Sequence, residues 1–446
     1  MSTFKTSGKL SINLCLLAIL SVACSNGEKT ATESKPSAPE QPQPQQQQQQ
    51  QPVTLTVFTP SSVGSLELFM KEFGSDVQKK FPYVSFDYVG GPKWLDEIPA
   101  VLGTNRTIDF VGVQAVSFSH VVKKFDLQFD IGELVKKNKF DLAAIDPSII
   151  AGMRGLTPEG KLYGIPIYTS NFALMYNKDL FDRFGAAYPT DGMTWDQVYE
   201  LSRKLTRIEN NVQYYGLVTD FTSYSIYNQL SASYIDPVAN KTLFSSDPKW
   251  TILTNNITRF FQTSGMDLSK GWTWDAPSKR FHTEHVAAMN FYAVPRESTA
   301  NWDMVTSPVF KEAPGIGTQG NPYAFFPTKM SKHQDLVIRI MAYLTSEEYQ
   351  LAKSKEGIIP VLTSNKVRDA FGQDVVGYKG KNVKALVSDK PAIPSLKTDQ
   401  YSDGHDIITQ AMIRVTKGEN DVNTALREAD EKLSLKIKEA DQQKQK

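Results

Sequence analysis

A strand-helix-strand alternation opens at Val53 and narrows the possible folds sharply. Val53-Thr-Leu-Thr-Val-Phe58 is apolar and β-branched, and Leu66, Phe69, Met70, Phe73 and Val77 then recur at the spacing of one helical face. Phe81-Pro82 ends that stripe. Val84-Ser-Phe-Asp-Tyr-Val89 reads as a second strand and Gly90-Gly-Pro92 as a turn. A helix through Trp94 to Leu102 leads to a third strand, Ile108-Asp-Phe-Val-Gly-Val113. Strands joined through helices lie parallel with right-handed crossovers, so the expected class is α/β, an open sheet that takes ligands beyond the carboxyl ends of its strands.

The pattern continues downstream. Thr194-Trp-Asp-Gln197 has the form of a capping box and predicts a helix to about Leu205. Leu336, Val337, Ile340, Met341 and Leu344 form another apolar stripe, and two more run through Ile407 to Val415 and Val422 to Leu433. No repeat of 20 to 50 residues is visible.

The beginning of the chain is of another kind. Lys5 and Lys9 precede an apolar run from Leu10 to Cys24, which is short of the ~20 residues a membrane-spanning helix needs, and residues 1–23 therefore read as a signal peptide. Ser21 and Ala23 ahead of Cys24 resemble a bacterial lipobox, which implies cleavage before Cys24 and acylation of its thiol. Residues 24–52 follow with seven consecutive glutamines, Gln45 to Gln51, and no aromatic residue. This composition predicts a disordered tether with a reach of about 30 Å. Cys15 and Cys24 are the only cysteines, so the body is expected to be stabilised by core burial without a disulfide.

With 49 Lys+Arg against 48 Asp+Glu, the chain lacks the basic excess by which nucleic acid or an anionic membrane would be recognised. Gly315-Ile-Gly-Thr-Gln-Gly320 has the letters of a dinucleotide fingerprint, but Pro314 precedes it and Asn321-Pro322 follows, so a loop is expected and not a strand-to-helix turn. His282-Thr-Glu-His285 lacks zincin spacing and reads as a solvated helix start. There is no nucleophile elbow and no Walker loop. No catalytic residue, metal or cofactor is expected.

Aromatic residues in polar company are plentiful: Tyr168-Thr-Ser-Asn171, Tyr214-Tyr215, Tyr224-Ser-Ile-Tyr227, Tyr234, Trp272-Thr-Trp274, Phe291-Tyr292 and Trp302. A sugar offers an apolar C–H face and a rim of hydroxyls, so rings beside hydroxyl and amide groups suit it, at roughly 0.5–1.5 kcal/mol per well-placed ring. For each ring alone, core packing is the competing reading.

Several segments in order resemble a known family. Gly160-Lys-Leu-Tyr-Gly-Ile-Pro-Ile-Tyr168, Leu174-Met-Tyr-Asn-Lys-Asp-Leu-Phe181 and Thr194-Trp195-Asp196 are similar to its central signature. Phe281 to Asn290 with Ala287-Ala-Met289, Asn301-Trp-Asp-Met304, and Tyr343-Leu-Thr-Ser-Glu-Glu-Tyr-Gln350 with Gly357-Ile-Ile-Pro360 resemble later blocks. On these residues the chain is identified as a member of extracellular solute-binding protein family 1, the lipid-anchored receptors of ABC importers. The resemblance implies a two-lobed periplasmic-binding-protein type II fold with the ligand cleft between lobes joined by hinge strands. One lobe would take residues 53–165 plus 325–372 and the other 166–324 plus 373–446. Ligand contacts are expected at Ser61 and Ser62, at Tyr168 and Asn171, and at Tyr224, Phe291, Tyr292 and Tyr401. The implied function is capture of a sugar or oligosaccharide outside the cell and delivery to ABC permease subunits. The implied receptor is a monomer held by lipid on the outer face of the cytoplasmic membrane. Alternatives are a receptor for another polar solute, a sugar-sensor subunit or a surface polysaccharide hydrolase. An anionic ligand would call for Arg or Lys clustered in the cleft segments, which are mainly neutral.

Overall fold

The computed structural model describes residues 51–60, 65–91, 94–104, 106–262, 276–293, 298–388 and 390–444. Cys24, the signal peptide, the tether as far as Gln50, Ser61, Ser62, Trp272 and Trp274 lie outside them.

Two separate sheets carry the two largest cores. In the first, the strand Val53–Pro60 lies between Val84–Gly91 and Phe110–Gln114, parallel to both, in register Val53 with Val84 through Pro60 with Gly91. Tyr323–Pro327 then pairs antiparallel with Phe110–Gln114 on one side and Ile165–Tyr168 on the other. The predicted Leu66–Val77 stripe forms Leu66–Phe69, a π-helical turn Met70–Gly74 and the helix Ser75–Lys80, laying Phe69 and Phe73 against Phe110 and Phe325. Buried polar side chains fix the register. The carboxylate of Asp109, 2% exposed, accepts from the Thr56 amide at 2.8 Å and the Ser331 hydroxyl at 2.6 Å. Gln350 donates to the carbonyls of Ile167 and Leu344 and accepts from the Val361 amide, clamping the edge strand to the helices behind it.

The second sheet runs Trp302–Val305, Phe172–Asn177, Met289–Ala293, Val218–Thr219, with only the last pairing parallel. Its core gathers Trp195, Trp250, Phe260 and Phe291 with Ile408, Met412 and Leu426 from the two carboxyl-terminal helices, Tyr401–Thr416 and Val422–Lys444. The Thr194–Gln197 capping box forms as the sequence predicts and opens the helix Trp195–Leu205.

The chain passes between the sheets at 169–171 and again at 320–322, a few residues before the expected boundary at 325, because Tyr323 and Ala324 already belong to the first core. Residues 315–320, expected as a loop, contain the strand Ile316–Gln319, paired parallel with Lys390–Ala392. That partner lies far along the chain, so local composition could not reveal it. His282 ends the helix Ala276–His282 and does not start one. Its Nδ1 lies 2.8 Å from the Ser298 hydroxyl, and burial, with His285 nearby, lowers its pKa to about 4. Among the described residues no three His, Cys, Asp or Glu side chains are placed to hold a metal ion.

Candidate functional site

Each of the two sheets has an edge at which its parallel strands end. In the first, the parallel strands finish at Pro60, Gly91 and Gln114; in the second, at Thr219 and Ala293. Strand ends at a change of topology are where open α/β sheets leave room for ligands.

On the second-sheet side a small polar and aromatic cluster forms. Asp220 caps the helix Phe221–Ile226, accepting from the amides of Thr222 at 3.2 Å and Ser223 at 2.8 Å. Ser223 hydrogen-bonds Tyr292, whose phenol pKa burial raises, the Ser223 bond opposing and the nearby Asp220 charge adding to the shift. The ring of Phe172 meets Tyr227 edge-on at 5.3 Å and lies tilted against Tyr292 at 5.4 Å. Tyr227 accepts a hydrogen bond at 2.7 Å from the Asn321 amide nitrogen, so a residue of the 320–322 crossing holds its hydroxyl. Burial pushes the Tyr227 phenol above the ordinary range, and it stays neutral as a donor and acceptor at physiological pH.

The residues expected to bind ligand are divided by the structure. Tyr292 is in this cluster, half-buried. Tyr224 is 4% exposed and Phe291 1%. The Tyr224 hydroxyl is 3.3 Å from the Leu253 carbonyl and takes a 3.0 Å bond from Asn256, while Phe291 packs edge-on against Trp195 at 5.0 Å. Both rings are core for periodic reasons: in the helix Phe221–Ile226 position 224 falls on the same inward face as Phe221, and in the strand Met289–Ala293 position 291 shares the buried face of Met289. Tyr401, expected as a stacking platform, is 5% exposed and lies against Tyr234 at 4.8 Å. These three rings therefore present no open face to a ligand in this conformation.

Tyr168 stacks on Tyr323 at 5.0 Å with 4° between the rings, and Phe73 continues the stack. Asn171 is tied at three points: its amide nitrogen donates to the Leu386 carbonyl at 3.1 Å, and its oxygen accepts from the Thr318 hydroxyl at 2.6 Å and the Phe172 amide at 2.9 Å. It thus links the first crossing to the strand Ile316–Gln319 and the helix Ala385–Ser388. Both residues line a recess with Glu72, Ile359 and Tyr378, whereas Tyr227 and Asn321 line a different one with Val116 and Lys397. Tyr227, Ser223, Asp220, Asn321 and Lys397 are not among the residues that the sequence marks as ligand contacts. Only Asp220 had a local signal, as an N-cap ahead of Thr222 and Ser223.

Solved structures share the fold. A sugar-transporter protein from Rhizobium etli in an open conformation is 19% identical over 86% of this chain and 99% of its own, at a TM-score of 0.67. An ABC substrate-binding protein from Listeria monocytogenes in complex with cycloalternan is 17% identical over 86% and 98%, at 0.67. The sugar-binding protein MalE from Xanthomonas citri is 15% identical over 88% and 100%, at 0.67. The model of the bacterial extracellular solute-binding proteins matches residues 61–351. The chain belongs to that family of extracellular solute-binding proteins.

Proposed function

We propose that this protein is the carbohydrate receptor of an ABC importer, capturing a sugar or oligosaccharide outside the cell and passing it to membrane permease subunits without chemical change. The observation that carries this reading is the group at the strand ends, the half-buried rings of Tyr227 and Tyr292 packed on the buried Phe172 beside Ser223, Asp220 and Asn321, which sets ring faces next to hydrogen-bonding groups. Three solved structures of the same fold, described as a sugar transporter, a cycloalternan complex and a sugar-binding MalE, support it. In this reading the chain crosses between the lobes at 169–171 and 320–322, so that residues 53–168 with 323–372 form one lobe and 172–319 with 373–446 the other. Ligand touching both lobes at once favours the closed form, since only contacts that differ between two states shift their balance. Ser61 and Ser62 complete the contacts from the first lobe, and acylated Cys24 holds a monomer at the outer face of the membrane.

The test is calorimetry and X-ray scattering of the purified body against a glycan panel. The expected result is saturable binding of one ligand per chain with a smaller radius of gyration when bound. Ligand at 100 times its dissociation constant should add about 2.7 kcal/mol of stability. Glycan cleavage without saturable binding would reject the receptor in favour of a hydrolase. Replacing Cys24 by Ala should leave the protein out of the membrane fraction.

A further inference from the structure

Lys397 is a buried cation among groups that do not neutralise it. It is 7% exposed. Its ammonium donates to the Ser395 hydroxyl at 3.1 Å and sits 4.0 Å over the Tyr401 ring. Among the described residues no carboxylate pairs with it, and neighbouring Asp399 is engaged by Lys123. Burying an ammonium is costly unless a counter-charge accompanies it, and burial alone lowers this one's pKa to about 7.

Lys397 lines a recess with Val116, just past the end of a first-sheet strand, and with Tyr227 and Asn321 of the strand-end cluster. A second group in it is equally unsatisfied. Asn321 is 9% exposed, and while its amide nitrogen bonds Tyr227, its oxygen is buried without a hydrogen-bond partner. The recess therefore holds a cation seeking an acceptor and an acceptor seeking a donor. Its free space in this conformation is on the scale of one ordered water, so it admits the tip of one terminal group and not a whole ring.

We propose that the recess between Val116, Tyr227, Asn321 and Lys397 receives the carboxylate of an acidic sugar, Lys397 taking the carboxylate and the Asn321 oxygen an adjacent hydroxyl. This rests on the receptor reading and narrows its ligand to uronic-acid glycans. One ammonium, with one donor already given to Ser395, matches the single charge of a carboxylate better than the two of a phosphate. Lys397 lies outside the segments from which the sequence suggested a neutral cleft, and only the folded chain brings it to Asn321.

The test is calorimetry of the full-length exported chain with galacturonate, glucuronate and mannuronate oligosaccharides, their methyl esters, neutral oligosaccharides and hexose phosphates. A uronate should bind, and esterification, which removes the charge and adds one methyl group, should weaken it at least tenfold. Lys397→Met should produce the same loss while leaving the ester's affinity within twofold and the melting temperature no lower than that of the natural chain. The ester comparison uses the natural protein and stands even if the variant does not fold. Neutral glycans or hexose phosphates binding where uronates do not would overturn the carboxylate assignment, the neutral case leaving the sugar-receptor reading intact. Equal affinity for acid and ester would overturn it as well. Silence from every glycan would remove both.

Discussion

Deleting one hydroxyl from Tyr224 should separate a core tyrosine from a ligand-binding one. In Tyr224→Phe the ring stays, with its edge-on contact to Trp195 at 5.8 Å, while the Leu253 carbonyl and the Asn256 amide lose the oxygen that lies 3.3 and 3.0 Å from them. No water can easily replace it, because Tyr224 and Asn256 are 4% and 6% exposed. A buried partner left unsatisfied costs about 1–3 kcal/mol. The folded body spans Gln51–Lys446, and at about 2.1 cal/mol/K per residue its unfolding entropy is roughly 0.8 kcal/mol/K. The loss should therefore appear as a drop of about 1–4 °C in the melting temperature. Differential scanning calorimetry reads that shift, and isothermal titration with the best glycan reads affinity, which should stay within twofold. An unchanged melting temperature together with a tenfold weaker affinity would refute the placement of this ring in the core.

Three further outcomes follow from the same geometry. Asn171→Ala removes the ties to Leu386, Thr318 and Phe172 and should cost about 1–3 kcal/mol in urea unfolding. Gly216→Ala would place a methyl 2.1 Å from the Ser202 carbonyl oxygen and 2.6 Å from its carbon, main-chain atoms that cannot turn aside. A loss of at least about 1–3 kcal/mol, the usual scale of overpacking, should show as a lower melting temperature. Asp146 is subject to burial, which raises its pKa, but the Ser148 hydrogen bonds and the Arg368 guanidinium at 2.8 Å outweigh it and hold the pKa below the usual value. A depressed native pKa contributes stability above the unfolded value of about 3.9, lost as pH falls through the native one. Asp146→Asn should thus be less stable than the natural chain near neutrality, and the gap should close in denaturation curves recorded below about pH 4.

What the sequence disclosed and what it hid divide by range. The strand at Val53, the stripe from Leu66 and the Thr194 capping box are local signals, and each appears as an element near its expected position. The strand Ile316–Gln319 was missed because its reason for being extended is Lys390–Ala392. The site follows the same rule. Tyr292 was within reach because it follows directly on a recognisable segment. Asn321 and Lys397 carry no local mark, since a lone amide or lysine in a polar stretch is ordinary until the fold buries it.

Tyrosines were the ambiguous residues, and the partner of each hydroxyl resolves what composition could not. Tyr224 is anchored to Leu253 and Asn256, both in the helix Pro248–Phe261 of its own core, so a movement between the two sheets leaves its environment unchanged. Tyr227 is held by Asn321, in a crossing segment that continues directly into the first-sheet strand Tyr323–Pro327. If the lobes hinge at 169–171 and 320–322 as proposed, closure bears on the Tyr227–Asn321 bond. A ligand group that occupies the free oxygen of Asn321 would therefore read the hinge directly. In a receptor of this design, affinity and closure would be set by the same few atoms, and a ring buried one helical turn earlier would report on stability alone.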